Sequence, residues 1–121
     1  MKFSNSIFVR GQIPVINKLI EKPLEIAEAY KLMKFAKSLQ EKELIFNEAK
    51  LAVFKKFGKE TESGGWEINK KNQEDATKEI DELMAMEEDY DLESKINIPT
   101  DIKLSAAEIL LLEDIINIPT K

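Results

Sequence analysis

The chain of 121 residues contains no cysteine and no histidine. Without cysteine there can be no disulfide, thiolate nucleophile, zinc finger or iron–sulfur ligation. Without histidine the usual general base is missing, and with it the Ser–His–Asp and Cys–His arrangements and the commonest transition-metal ligand. Catalysis would have to rest on carboxylates, lysines, tyrosines or hydroxyls, as in carboxylate-pair hydrolases. A non-catalytic role, with no cofactor and no metal, is therefore the leading expectation. Arginine occurs once, at Arg10, and the net charge is −5. Counterion release from DNA or RNA needs several clustered bases, so direct nucleic-acid binding is not expected. No uninterrupted apolar run outlasts Ile109 to Leu112, far short of a bilayer span. The opening MKFSNSIFVRGQ places polar residues where a signal peptide needs a continuous apolar stretch. Neither membrane insertion nor secretion is expected, and the cytoplasm is the expected location.

What is present is enough for one modest core. Apolar residues make up 43% and charged residues 34%, which predicts a single domain over residues 1–121. Charge is unevenly placed. Residues 1–73 hold 14 Lys+Arg against 9 Asp+Glu, whereas residues 74–121 hold 4 against 14. Within the second part, EDATKEIDELMAMEEDYDLE carries ten acidic residues and only Lys78 as a base. Such a run is either a solvated helix face lying beside the lysine-rich first half, or a surface that imitates a nucleic-acid backbone or docks on a basic patch of a partner.

Along the chain, SIFVRG reads as a short strand ending at Gly11. Pro14 suits the first turn of a helix carrying Val15, Ile16, Leu19 and Ile20, and Pro23 forces a break after it. From Pro23 to Phe57 there is no glycine or proline, and Leu32, Ala36, Leu39, Phe46, Ala49, Val53 and Phe57 trace a stripe interrupted at Glu43. This predicts one long helix of roughly 50 Å, ended by Lys55 and Lys56 in its last turn and by Gly58 as a left-handed cap. Leu24, Tyr30, Phe35, Leu44, Ile45, Leu51 and Phe54 lie off that stripe, too many for one contact face, which predicts a homodimer or larger closed oligomer. KETESGGWEI reads as a turn followed by a short strand with Trp66 and Ile68 on one side. Asn72 is the expected cap of an acidic helix whose inner face holds Ala76, Ile80, Leu83, Met84 and Glu87.

The string INIPT occurs twice, at Ile96–Thr100 and Ile116–Thr120. From Tyr90 the residues alternate with the period of two of a half-buried strand, with Tyr90, Leu92, Ser94, Ile96 and Ile98 on one side, and Pro99 closes it. Ser105 and Glu108 form a capping box for a short helix with Ile109, Leu110 and Leu112. The second INI then reads as another strand end. The two copies read as similar strand ends flanking one helix; if they pair in parallel, the spacing satisfies the dozen or so residues that a crossover needs, and antiparallel pairing is equally open. The fold class is α+β and mainly helical, with one long helix and two or three shorter ones against a small sheet.

Chemical motifs are few. DYDLE, with Asp89, Asp91 and Glu93, imitates the first ligands of an EF-hand loop, but Ser94 stands where glycine is needed and Thr100 where the bidentate glutamate belongs. The Asp-x-Asp pair is more simply the solvent side of a strand. ESGGW lacks the Lys-Ser/Thr of a phosphate loop. Trp66 is either an interface anchor or a lid on the core.

The long helix ending in FKKFGKE, the turn-rich ESGGWEI, the acidic NQEDATKEIDELM and the closing INIPTDIKLSAAEILLLEDII together resemble an uncharacterised family of small proteins encoded by bacteriophages and prophages of Gram-positive bacteria. The likeness spans residues 13 to 116, with LSAAEILLLEDII its most specific piece, and it brings no catalytic residue with it. It implies a viral accessory protein that works by binding in the host cytoplasm. The first expectation is an inhibitor of a host antiviral defence factor, using Trp66, Glu79, Asp81, Glu82, Glu88, Asp89 and Asp91 as binding residues. The alternatives are a structural or tail-assembly accessory built on the long helix, or a carboxylate-dependent nucleotide-acting hydrolase using Asp89, Asp91 and Glu93.

Overall fold

The structure, a computed structural model, describes residues 1–118 in the order β1 (Lys2–Ser4), a 3-10 turn (Asn5–Phe8), α1 (Gln12–Ile20), α2 (Ile26–Phe57), β2 (Gly58–Glu60), β3 (Trp66–Ile68), α3 (Lys70–Ala85), β4 (Glu87–Asp89), β5 (Ile96–Asn97), α4 (Ala106–Leu112) and β6 (Ile116–Asn117). The class is α+β and mainly helical. The strands form three separate pairs, β1 with β4, β2 with β3, and β5 with β6, where a single small sheet was expected.

Helix α2 organises the rest. Its 32 residues, about 48 Å long, lack helix breakers. It begins at Ile26 and not at Pro23, because the chain between the end of α1 and Glu25 is not helical. The N-terminal half of α2 supplies Leu32, Phe35 and Leu39 to the main core, which also contains Ile16 and Leu19 of α1, Tyr90, Leu92, Ile96, Ile98, Leu112, Ile115 and Ile116. Phe35, assigned by sequence to an outer face, is fully buried: its ring lies 5.8 Å from both Phe3 and Tyr90. The C-terminal half of α2 carries a satellite layer in which Phe46 stacks on Phe8 at 5.2 Å and Phe54 on Trp66 at 6.5 Å.

Several local expectations are corrected. SIFVRG is not a strand. Its backbone turns because Asn5 is held elsewhere: its N–H donates to the Met86 carbonyl at 2.9 Å and its side-chain Nδ2 to the Leu83 carbonyl at 2.9 Å. The buried Asn5 thereby closes the C-terminal end of α3. The α2 helix does end at Phe57, but Gly58 is extended (φ −131°, ψ −177°) and opens the β2–β3 hairpin. Glycine is needed there for close approach, since a Cβ would stand 2.9 Å from the Glu67 carbonyl oxygen. The cap of α3 is Asn69, whose side chain accepts from the Asn72 N–H. Asn72 has a different role, donating its side-chain amide to the Phe57 carbonyl at the end of α2. Glu87 lies beyond α3, exposed in β4.

The run from Tyr90 to Ile98 is not one strand either. It bends between β4 and β5, which leaves Ser94 exposed, yet Tyr90, Leu92, Ile96 and Ile98 all remain buried. The two INI copies pair in parallel, Ile96 opposite Ile116 and Asn97 opposite Asn117, with α4 as the crossover; Pro119 and Thr120 of the second copy lie outside the described residues. The capping box is present: the Ser105 side chain accepts from the Glu108 N–H and the Glu108 carboxylate from the Ser105 N–H.

A carboxylate joins this small sheet to α2. Asn97 donates its backbone N–H to Glu28 Oε2 at 2.9 Å and its side-chain amide to Oε1 at 3.1 Å, while Asn117 donates to Asn97 Oδ1 at 3.3 Å. Burial pushes the Glu28 carboxyl up, but the Asn97 N–H, Lys31 and the Asn97 amide outweigh it, and the pKa lies below its ordinary value. A carboxylate with a depressed folded pKa stabilises above its unfolded pKa of about 4.3 and loses that contribution as pH falls through the folded value. Glu28→Gln is therefore expected to cost about 1 kcal/mol at neutral pH. The gap from wild type should shrink in thermal melts as pH falls below the ordinary carboxylate value and through the lowered folded one; a gap independent of pH would contradict this role.

Candidate interaction surfaces

The hairpin β2–β3 reverses the chain, so that α3 and the segment after it run back along α2. Its acidic residues meet α2 lysines in succession: Glu79 lies 2.7 Å from Lys56, Glu88 3.5 Å from Lys42 and Asp91 3.8 Å from Lys34. Asp89 lies 3.5 Å from the terminal ammonium of Met1. The opposite charges of the two halves are thus partly spent inside the molecule. Each pair is solvent-exposed on at least one side, so each contributes about 0–1 kcal/mol and chiefly sets how the returning segment lies. Lys37 of α2 pairs with none of these acids among the described residues.

Asp81 and Glu82 are exposed on α3 and make no ion pair among the described residues. An apolar groove of about 210 Å³ runs between α2 and the end of α3. Phe46, Ala49 and Leu83 line it, Ile45 and Met86 form exposed lips, and the Lys42–Glu88 pair stands at one end. Glu79 and Glu82 of α3 and Met86, its C-cap, follow one another at spacings of three and four residues on one side. Below this end, Lys42 lies over the buried Tyr90 ring at 5.5 Å. Burial and the nearby Glu88 charge push the Tyr90 phenol up to about 12, so it is neutral at physiological pH.

The carboxylates suggested for chemistry do not converge. Asp89 is drawn to the N-terminus and Asp91 to Lys34, Glu93 is exposed, and among the described residues no three acidic side chains gather as metal ligands. Trp66 is half-buried and packed on Phe54, which places it on the hairpin side of α2, away from the α2–α3 groove lining. Of the seven candidate binding residues, Glu88 lines the groove, Glu79 and Glu82 precede Met86 on the same side of α3, and Asp81 lies on the helix side opposite Leu83, away from the groove.

The apolar residues off the core stripe also sort themselves. Leu24 packs against the core, Phe54 on Trp66, and Ile45 on the groove lip. Tyr30, Leu44 and Leu51 remain exposed on the far side of α2, together with Ile26 and Met33. Sequence reasoning missed Asn5 and Glu28; Asn5 closes the helix end that forms the groove, and as the middle of three consecutive polar residues it gives no sequence signal of that role. No described helix is long and apolar enough to cross a membrane. No family model, no curated protein and no solved structure matches the chain.

Proposed function

We propose that this chain is a non-catalytic, phage-encoded interaction protein that inhibits a host antiviral defence factor by seating a basic, amphipathic segment of that factor in the α2–α3 groove. The observation that carries the reading is the groove itself: an apolar floor of Phe46, Ala49 and Leu83, a lip at Met86, and Glu82 one helical turn before that lip, exposed and without an ion pair among the described residues. Methionine adapts to a partner's side chains, and unpaired acids attract a cationic one. The resemblance to small phage and prophage proteins supports the viral setting, and the absence of cysteine and histidine supports binding over chemistry. The internal pairing of Glu79, Glu88 and Asp91 speaks against a whole-surface nucleic-acid mimic and in favour of this narrower docking site.

A second reading, a structural or assembly accessory, is favoured by one observation only, the exposed apolar face of α2.

Affinity capture from host lysate, followed by binding kinetics with the retained protein, tests the first reading. The double variant Asp81→Lys, Glu82→Lys is expected to slow association and flatten its salt dependence, because exposed charges steer encounter. Its stability should move by no more than about 0.5 kcal/mol. Glu79→Lys should behave differently, setting a lysine against Lys56 and loosening α3 from α2. Capture that survives the double reversal with unchanged kinetics would rule out the acidic lip as the docking site.

A further inference from the structure

We propose that the outer face of α2 seats a second copy of this chain, packed antiparallel. This interface is separate from the acidic groove and does not depend on it. Ile26, Tyr30, Met33, Lys37, Gln40, Leu44, Asn47 and Leu51 recur at alternating spacings of four and three residues, the repeat of a coiled-coil seam. All eight are exposed, including Ile26 at 88%, Leu44 at 67% and Tyr30 at 57%. The buried residues Leu32, Phe35, Leu39 and Phe46 lie on the opposite side of the helix. The seam runs about 38 Å, from Ile26 to Leu51 at about 1.5 Å per residue. A single long helix thus carries two apolar stripes, and the fold covers only one.

The sequence of the stripe decides the occupant and its direction. About a two-fold axis level with Ser38 and Leu39, an antiparallel copy sets Leu44 against the partner's Met33 and Leu51 against the partner's Ile26. Polar then meets polar, with Lys37 against the partner's Gln40, while Tyr30 covers the partner's Asn47. On the flank, Lys34 faces the partner's Glu41, and symmetry makes each pair occur twice. Lys34 also reaches Asp91 within its own chain, and the exposed Glu41 has no ion pair among the described residues. A parallel, in-register copy fails on the same count: Lys37 would stack on Lys37, and the flanks would set Glu43 against Glu48 and Lys50 against Lys55. Charges at these positions choose partner and orientation in paired helices.

Because the chain has no cysteine, introduced thiols report the register without interference. Met33→Cys and Leu44→Cys chains are made separately, mixed and mildly oxidised. The antiparallel dimer predicts that the mixed Met33→Cys/Leu44→Cys disulfide dominates, with little cross-linking of either variant alone. Self-cross-linking of each variant in preference to the mixed species would show parallel pairing and overturn the assignment. Sedimentation equilibrium on the unmodified chain is the companion measurement: twice 13.9 kDa is expected, and 13.9 kDa at tens of micromolar would overturn the proposal. Leu44→Glu should return the mass to 13.9 kDa with an unchanged circular dichroism spectrum, since that side chain is outside the fold; a variant that stays dimeric would equally count against the seam.

Discussion

Phe35→Ala is expected to be among the most damaging single substitutions, at about 3–5 kcal/mol of lost folding stability in urea unfolding. The ring is wholly buried and belongs to a three-aromatic cluster: Phe3 and Tyr90 each lie 5.8 Å from it and 5.7 Å from one another. Those three residues come from α2, from β1 and from the turn after β4, so the cluster ties together segments far apart in sequence. Truncation leaves a cavity that the neighbours fill only in part, because β1 and β4 are also paired by their backbones from Lys2–Asp89 to Ser4–Glu87. A loss below about 1 kcal/mol, the size typical of an ordinary substitution, would mean that Phe35 is not the centre of the core.

The second large effect separates the two copies of INIPT. Ile98→Ala should cost about 2–5 kcal/mol, whereas the corresponding Ile118→Ala should cost less than about 1 kcal/mol. The first isoleucine is 3% exposed and the second 42%, although their local sequences are identical. The reason lies in the parallel pairing. Ile98 donates its N–H to the Asn117 carbonyl and turns its side chain into the core, while Ile118 is exposed just past the pair. Equal losses from the two variants, read in the same unfolding experiment, would contradict this asymmetry.

The duplicated string is therefore one structural device: two strand ends of similar sequence placed side by side by α4, with Asn97 and Asn117 forming a hydrogen-bonded pair that Glu28 anchors to α2. That each copy ends a strand beside one short helix was legible in the sequence, as were the Ser105–Glu108 cap, the end of α2 at Phe57 and the strand at Trp66, because each follows from short-range chemistry; that the copies pair with one another was not. Parallel direction was not legible, since the spacing allowed both.

The local misreadings share a cause. SIFV has the composition of a strand, but Asn5 is bound to the end of α3, more than seventy residues away, and that tether decides the backbone. Asn72 looks like a cap, yet Asn69 fits one turn earlier because the hairpin delivers the chain there, which frees Asn72 to bind the end of α2. Gly58 sits where a left-handed cap belongs, but its pairing with Ile68 holds it extended.

The interaction surfaces were partly legible. The imbalance of charge between the halves pointed to acids lying against α2 lysines, and the structure pairs Lys34, Lys42 and Lys56 in this way. The excess of apolar residues on α2 pointed to a second face. Which residues form that face became clear only once Phe35, Leu24 and Phe54 were found to be occupied within the fold, leaving a stripe of regular spacing. Two opposed stripes blur the periodicity of a single helix, and only tertiary packing separates them.

The proposed division of α2 into an inner face that builds the fold and an outer face that seats a second copy is tested most directly by the melting temperature of the intact chain as a function of its own concentration. Association of folded copies stabilises the folded state by mass action. The melting temperature should rise steadily with protein concentration and lose that dependence in Leu44→Glu. A melting temperature that stays constant across the same range in the wild-type chain would contradict a second face at work.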